Sequence, residues 1–190
     1  NRSRHTAGRD EERLLAHPES AAALVRALSI HAALGDVICL GSPTAAELWN
    51  RYGQSHVPTL YLRDLCTAGA DGAIAAFLGN AADAASAFCL VGDLTLLRDL
   101  HAAAIVPQLP PGKRIIAVLN NEGAHGAAYA AGNDEELRRL LVQPPVFEAE
   151  NVAGLWGSEY YRIRSEADLE VLDSLDEQAF VLLEIIPESL

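Results

Sequence analysis

The sequence predicts an α/β fold, a three-layer arrangement in which a parallel sheet carries helices on both faces. Three observations carry that expectation. Short apolar runs such as 36–40 (DVICL), 87–91 (AFCLV) and 114–119 (RIIAVL) do not alternate apolar with polar, as strands buried on both faces should not. Segments with apolar residues at helical spacing lie between them. Three of the runs end in Gly41, Gly92 and Asn120, at the carboxyl ends where open parallel sheets bind ligands.

Residues 1–18 are polar and close at Pro18, so they read as a linker or mobile arm ahead of a domain over 19–190. Apolar residues at Ala23, Leu24, Ala27, Leu28 and Ile30 predict a helix over 19–34, stopped by Gly35. Then follow a strand at 36–40, a helix at 44–51, a strand at 59–62 and an Ala-rich helix at 72–85. A strand at 87–91 leads into a helix at 94–106, broken by Pro107, Pro110 and Pro111. After the strand at 114–119 come helices at 134–141 and 151–157 and a strand at 160–163. Ser165 and Asp168 have capping-box spacing and open a helix to about residue 175. The run 179–186 (AFVLLEII) is the last strand. The same pattern is open to a simple Rossmann domain without a cofactor.

A chain of 190 residues, half of them hydrophobic, suits one domain with a substantial core. The net charge of −12 argues against nucleic acid or an anionic membrane as partner. The three cysteines have no pairing pattern: Cys39 and Cys89 fall in strands and Cys66 in a loop. Reduced cysteines fit a cytoplasmic protein. No apolar run approaches the roughly 18 residues of a membrane helix, and the polar start lacks the pattern of a signal peptide. The absent initial methionine suggests a fragment of a longer protein.

The chemistry concentrates at two strand ends. One continues into Gly92-Asp93-Leu94-Thr95, the other into Asn120-Asn121-Glu122-Gly123. Only one helical crossover separates them, so Asp93 and Asn121 should meet in space. A carboxylate and a carboxamide are hard oxygen donors suited to magnesium, which retains waters and takes phosphate oxygens. Amides of the helix after Asp93 favour an anion at the same place. The plainer reading is an N-cap at Asp93 and an ordinary turn at Asn120-Asn121.

The Gly-Asp and Asn-Asn pair, so spaced, resembles the signature of thiamine-diphosphate-dependent enzymes. The stretches AFCLVGDLTLLRDLHA and IIAVLNNEG, with Asp99 in the helix, resemble more narrowly the synthases of menaquinone biosynthesis. Gly69-Ala70-Asp71-Gly72 and the strand ending at Gly41 support this, in order, over about residues 20–188. The resemblance implies the diphosphate-binding domain of a larger transferase, with thiamine diphosphate and Mg2+ as cofactors. It implies Asp93, Asn121 and the Gly123 carbonyl as metal ligands, with Gly92, Leu94 and Thr95 beside the diphosphate. It assigns no catalytic residue here. A pyrimidine-binding domain, on the same or another chain, would complete the site in a homodimer or tetramer. The implied reaction decarboxylates 2-oxoglutarate, a small 2-oxo acid, and adds the product to isochorismate. The fragment alone would be inactive.

Several positions depart from that pattern. Ala70 replaces a large aliphatic residue that bends the cofactor. Glu47 and Leu65 stand where arginines would grip acidic substrates, and Ala124, His125, Gly126 and Ala127 replace apolar substrate contacts. These changes leave open a non-catalytic interaction domain, or one subunit of a split 2-oxo acid decarboxylase. His101 reads as a half-buried helix residue and His125 as a solvated loop residue near the site. Gly112-Lys113 lacks the glycines of a P-loop, and neither a Gly-x-Gly-x-x-Gly nor a Gly-x-Ser-x-Gly motif occurs. Glu135, Glu136, Arg138 and Arg139 read as a solvated helix face, and Trp49 and Trp156 as packing residues.

Overall fold

Six strands form one sheet in the order β2-β1-β3-β4-β6-β5. They are β1 (Val37–Leu40), β2 (Leu60–Arg63), β3 (Ser86–Gly92), β4 (Lys113–Leu119), β5 (Glu159–Ile163) and β6 (Phe180–Ile185). Every neighbouring pair is parallel. The computed structural model describes residues 10–32, 35–54, 60–63, 71–123, 132, 134–143 and 147–188. This order differs from the 3-2-1-4-5-6 order of a Rossmann domain.

Successive strand residues enter two separate cores, which is why the strands read as unbroken apolar runs. On one face Ile38, Leu40, Phe88, Leu90, Ile115, Ala117, Leu183 and Ile185 pack with Leu24, Leu28, Trp49 and Leu169. These belong to α2 (Ala21–Ala32), α3 (Pro43–Tyr52) and a 3-10 segment, Glu166–Ser174. On the other face Val37, Cys39, Cys89, Val91, Ile116, Val118 and Leu182 pack with Ile74, Phe77, Leu96, Val152 and Trp156. These belong to α4 (Ala73–Asn80), α5 (Asp93–Arg98) and α7 (Ala149–Trp156). Trp156 stacks on Phe180 and donates its indole N–H to the Leu100 carbonyl at 2.8 Å. Both tryptophans are therefore packing residues. Helix α6 (Glu135–Leu141) buries no residue, as its charge pattern implies.

Four expectations need correction. The arm expected over 1–18 is helical over residues 10–16 (α1), where Leu14 is buried and Asp10 accepts Arg51 Nη2 at 2.8 Å. Leu14 and two ion pairs, Asp10–Arg51 and Glu11–Arg26, tie it to the domain. The helix expected over 94–106 is two pieces, α5 and a 3-10 segment at Leu100–Gln108, divided at Asp99. The Asp99 carboxylate is committed to amides of α4, and Pro107 lies inside the second piece. Within that piece His101 is exposed rather than half-buried. The capping box at Ser165 and Asp168 forms, but it opens 3-10 geometry instead of an α-helix.

Candidate functional site

Strand β1 connects outward to β2, whereas β3 connects the other way to β4, so the crevice falls between their carboxyl ends. On the β1 side the Gly41 N–H donates to the Leu90 carbonyl at 2.9 Å. Ser42 caps α3, its Oγ accepting the Ala45 N–H at 3.2 Å. Across the crevice, a Cβ built on Gly92 would find Ser42 Oγ at 3.8 Å as its nearest neighbour. The Gly92 backbone thus has room for a Cβ, in ordinary contact with Ser42. Gly41 does not, because its Cβ would lie 2.9 Å from Val91 Cγ1 and 3.0 Å from Ala73 Cβ.

Asp93 is the first residue of α5 and Gly92 is its N-cap, so the expected N-cap role shifts by one residue. The Asp93 side chain is 4% exposed. Its Oδ1 accepts the Leu94 N–H at 2.7 Å and its Oδ2 accepts the Gly123 N–H at 2.7 Å. The Asn121 N–H also bonds to this carboxylate. Burial raises the Asp93 pKa above its ordinary value, against the amides of Gly123, Leu94 and Asn121, which favour the charged form. The two strand ends read from the sequence are thus in contact, through one carboxylate.

The loop after β4 owes its shape to Asn120. Its Oδ1 accepts the Glu122 N–H at 3.2 Å, and its Nδ2 donates to Glu184 Oε1 at 2.7 Å. Glu122 and Gly123 take positive φ values of 58° and 88°, a conformation costly for a glutamate outside a well-held turn. The Gly123 carbonyl accepts the Gln143 N–H at 3.0 Å, leaving its second lone pair for another partner. Leu94 is half-buried and Thr95 buried in α5, and Asn121 is half-buried.

Glu184 is the residue that sequence reading passed over. It is 2% exposed and accepts from Asn120, from the Tyr160 hydroxyl and from Arg162 Nε at 3.4 Å. Burial and the Glu184 hydrogen bond push the Tyr160 pKa up to about 12. The signal was present in the sequence as a lone acid inside the apolar run AFVLLEII. Of the departures noted above, Glu47 is exposed on α3, whereas Leu65, Cys66, Ala70, Ala124, His125, Gly126 and Ala127 lie outside the described residues.

Among the described residues no group of three His, Cys, Asp or Glu side chains could hold a metal ion. The candidate set instead combines one buried carboxylate with a carboxamide and a backbone carbonyl. Such oxygen donors fit a small hard cation that keeps part of its water shell. A glycine at 92, without a side chain, fits close approach of a phosphate group. Among the described residues no helix is long and apolar enough to cross a membrane.

The chain is 41% identical to 2-succinyl-5-enolpyruvyl-6-hydroxy-3-cyclohexene-1-carboxylate synthase of Akkermansia muciniphila, over 94% of the chain and 34% of that protein. It is 33% identical to the enzyme of the same name from Bdellovibrio bacteriovorus, over 56% of the chain and 20% of that protein. No family-wide sequence profile matches. Benzoylformate decarboxylase from Polynucleobacter necessarius superimposes with a TM-score of 0.64 at 11% identity, over 88% of the chain and 33% of that structure. The thiamine diphosphate-dependent 4-hydroxybenzoylformate decarboxylase of Rhodococcus jostii gives 0.65 at 14%, over 88% and 32%.

The chain therefore shares the fold of these two decarboxylases, one of them thiamine diphosphate-dependent. By sequence it is homologous to the two 2-succinyl-5-enolpyruvyl-6-hydroxy-3-cyclohexene-1-carboxylate synthases. The chain spans about a third of the length of the first of these relatives.

Proposed function

We propose that this chain is the diphosphate- and magnesium-binding domain of a larger cytoplasmic, thiamine-diphosphate-dependent transferase. The observation that supports it best is the 2.7 Å bond from the Gly123 N–H to Asp93 Oδ2, which joins the Gly-Asp and Asn-Asn strand ends. In this reading Asp93, Asn121 and the Gly123 carbonyl hold Mg2+ against the diphosphate. Gly92 lets the diphosphate approach the backbone, with Leu94 and Thr95 behind it. The cofactor, once bound, supplies the carbanion stabilisation that decarboxylation of a 2-oxo acid requires. This domain supplies placement: it fixes the metal and orients the diphosphate, while backbone amides oppose the burial that raises the Asp93 pKa. A pyrimidine-binding domain, from the same chain or a partner in a homodimer or tetramer, completes the site. The isolated domain therefore turns over no substrate.

The substrates that homology suggests are 2-oxoglutarate and isochorismate. Glu47, exposed on α3 one turn beyond the β1 end, favours a second reading. A negative charge there repels such anions, which fits a different 2-oxo acid, a split decarboxylase or a non-catalytic interaction domain. The test is calorimetric titration of the intact gene product with thiamine diphosphate, with and without Mg2+. Metal-dependent binding that disappears in Asp93→Ala, with the fold retained, is the expected result. Equal affinity in that variant would overturn the site assignment. A folded protein that binds no cofactor would leave the interaction domain.

A further inference from the structure

We propose that Glu184 is a positioning residue for the loop of the candidate metal site, acting through Asn120 from outside the cofactor pocket; this rests on the function proposed above. Glu184 sits near the end of β6, in register with Val118 of β4 and Arg162 of β5. The other residues of β6 are apolar, and an apolar side chain at 184 would satisfy the packing of the strand. A carboxylate there is costly to bury unless its acceptors are used. Its observed partners come from both neighbouring strands: the Tyr160 hydroxyl and Arg162 Nε on β5 hold Oε2, and Asn120 Nδ2 at the end of β4 holds Oε1.

The grip on Asn120 matters because of what the other end of that amide does. Glu184 is an acceptor, so it selects the nitrogen of Asn120 and turns the oxygen toward the Glu122 N–H. That bond closes the turn in which Glu122 and Gly123 both take positive φ. The same turn aims the Gly123 N–H at Asp93 Oδ2. An unbroken chain of contacts therefore runs from Tyr160 and Arg162 through Glu184, Asn120 and the Glu122–Gly123 turn to Asp93. Asn121 and the Gly123 carbonyl, the other candidate ligands, ride on that turn. With Asn120 released, Glu122 loses the bond that holds its left-handed conformation, and the turn that carries both ligands loses one of its anchors.

The experiment measures thiamine diphosphate binding by the intact gene product as Mg2+ is varied, alongside thermal unfolding. It compares Glu184→Leu, Glu184→Gln, Asn120→Ala and Asp93→Ala. Outer-shell partners of metal ligands commonly affect metal affinity by about 10- to 100-fold. Glu184→Leu and Asn120→Ala are expected to raise the Mg2+ concentration for half-maximal binding by about tenfold or more. Glu184→Gln keeps an acceptor for Asn120 and is expected to restore a near-parental requirement. Asn120 is only half-buried, so its variant tests the idea even if Glu184→Leu does not fold. A folded Asn120→Ala protein with lowered thermal stability but an unchanged Mg2+ requirement overturns the proposal and leaves Glu184 a structural residue. If Asp93→Ala abolishes binding in that case, the site reading stands and only the positioning role falls. If Asp93→Ala also binds normally, or the parent protein binds no cofactor, both fall.

Discussion

Asp99, at the end of α5, accepts the Ile74 N–H at 2.7 Å across 25 residues of sequence, and its other oxygen accepts the Gly72 N–H. One fully buried carboxylate thus caps the start of α4 from the end of a neighbouring helix. Gly72, the N-cap of α4, has a φ of 81° and no side chain with which to cap its own helix, so Asp99 supplies the acceptors that a serine or aspartate there would have provided. The link also fixes α4 beside the helix that carries Asp93.

Removal of this carboxylate leaves two amides without acceptors. Asp99→Ala is expected to destabilise the domain by about 2–4 kcal/mol, from the desolvation of unsatisfied donors. Asp99→Asn, which keeps one acceptor oxygen, should lose about half of that. Urea unfolding monitored by circular dichroism measures both; a loss below about 0.5 kcal/mol for the alanine variant contradicts the capping role.

Gly41 and Gly92 end adjacent strands, yet the same substitution should act differently on each. Gly41→Ala places a methyl group 2.9 Å from Val91 Cγ1 and 3.0 Å from Ala73 Cβ, and overpacking of this kind costs about 1–3 kcal/mol. Gly92→Ala meets nothing closer than Ser42 Oγ at 3.8 Å, so its melting temperature should match the parent's. If the proposed site is right, its effect falls on thiamine diphosphate binding, because the methyl group would take space that the proposal gives to the diphosphate. Melting curves paired with calorimetry separate the two, and normal cofactor affinity in Gly92→Ala would place the diphosphate elsewhere.

The capping box at Asp168 gives a pH-dependent contribution to stability. The N–H groups of Arg164 and Ser165 each donate to Asp168 Oδ2 at 2.8 Å and hold its pKa below the ordinary 3.8. A depressed carboxylate stabilises the fold above its unfolded pKa, and that contribution is lost as the pH falls through the lower folded value. Asp168→Ala should therefore cost about 1 kcal/mol near neutrality, reduced toward the lower end by solvent exposure. The difference from the parent should shrink at pH values below 3.8. Denaturation of both proteins across that range is the check, and a difference independent of pH would rule out the ionised cap as its source.

The parallel α/β class was legible because strands buried on both faces cannot hide their composition, and 114–119 and 87–91 stand out on that ground alone. The Gly-Asp and Asn-Asn pair was legible because each lies at the end of such a strand, and the order of a parallel sheet brings successive strand ends together. The sequence alone therefore determined the class of fold, the family resemblance and the pairing of Asp93 with the loop after β4. Tertiary structure decided the rest. It placed β6 between β4 and β5, and only that order brings Glu184 to Asn120, 64 residues away in sequence. It also committed Asp99 to α4, which breaks a helix that local periodicity would continue. Both outcomes depend on hydrogen bonds between distant segments, and the energy of such a bond resides in where two buried groups meet, which no local pattern of residues records.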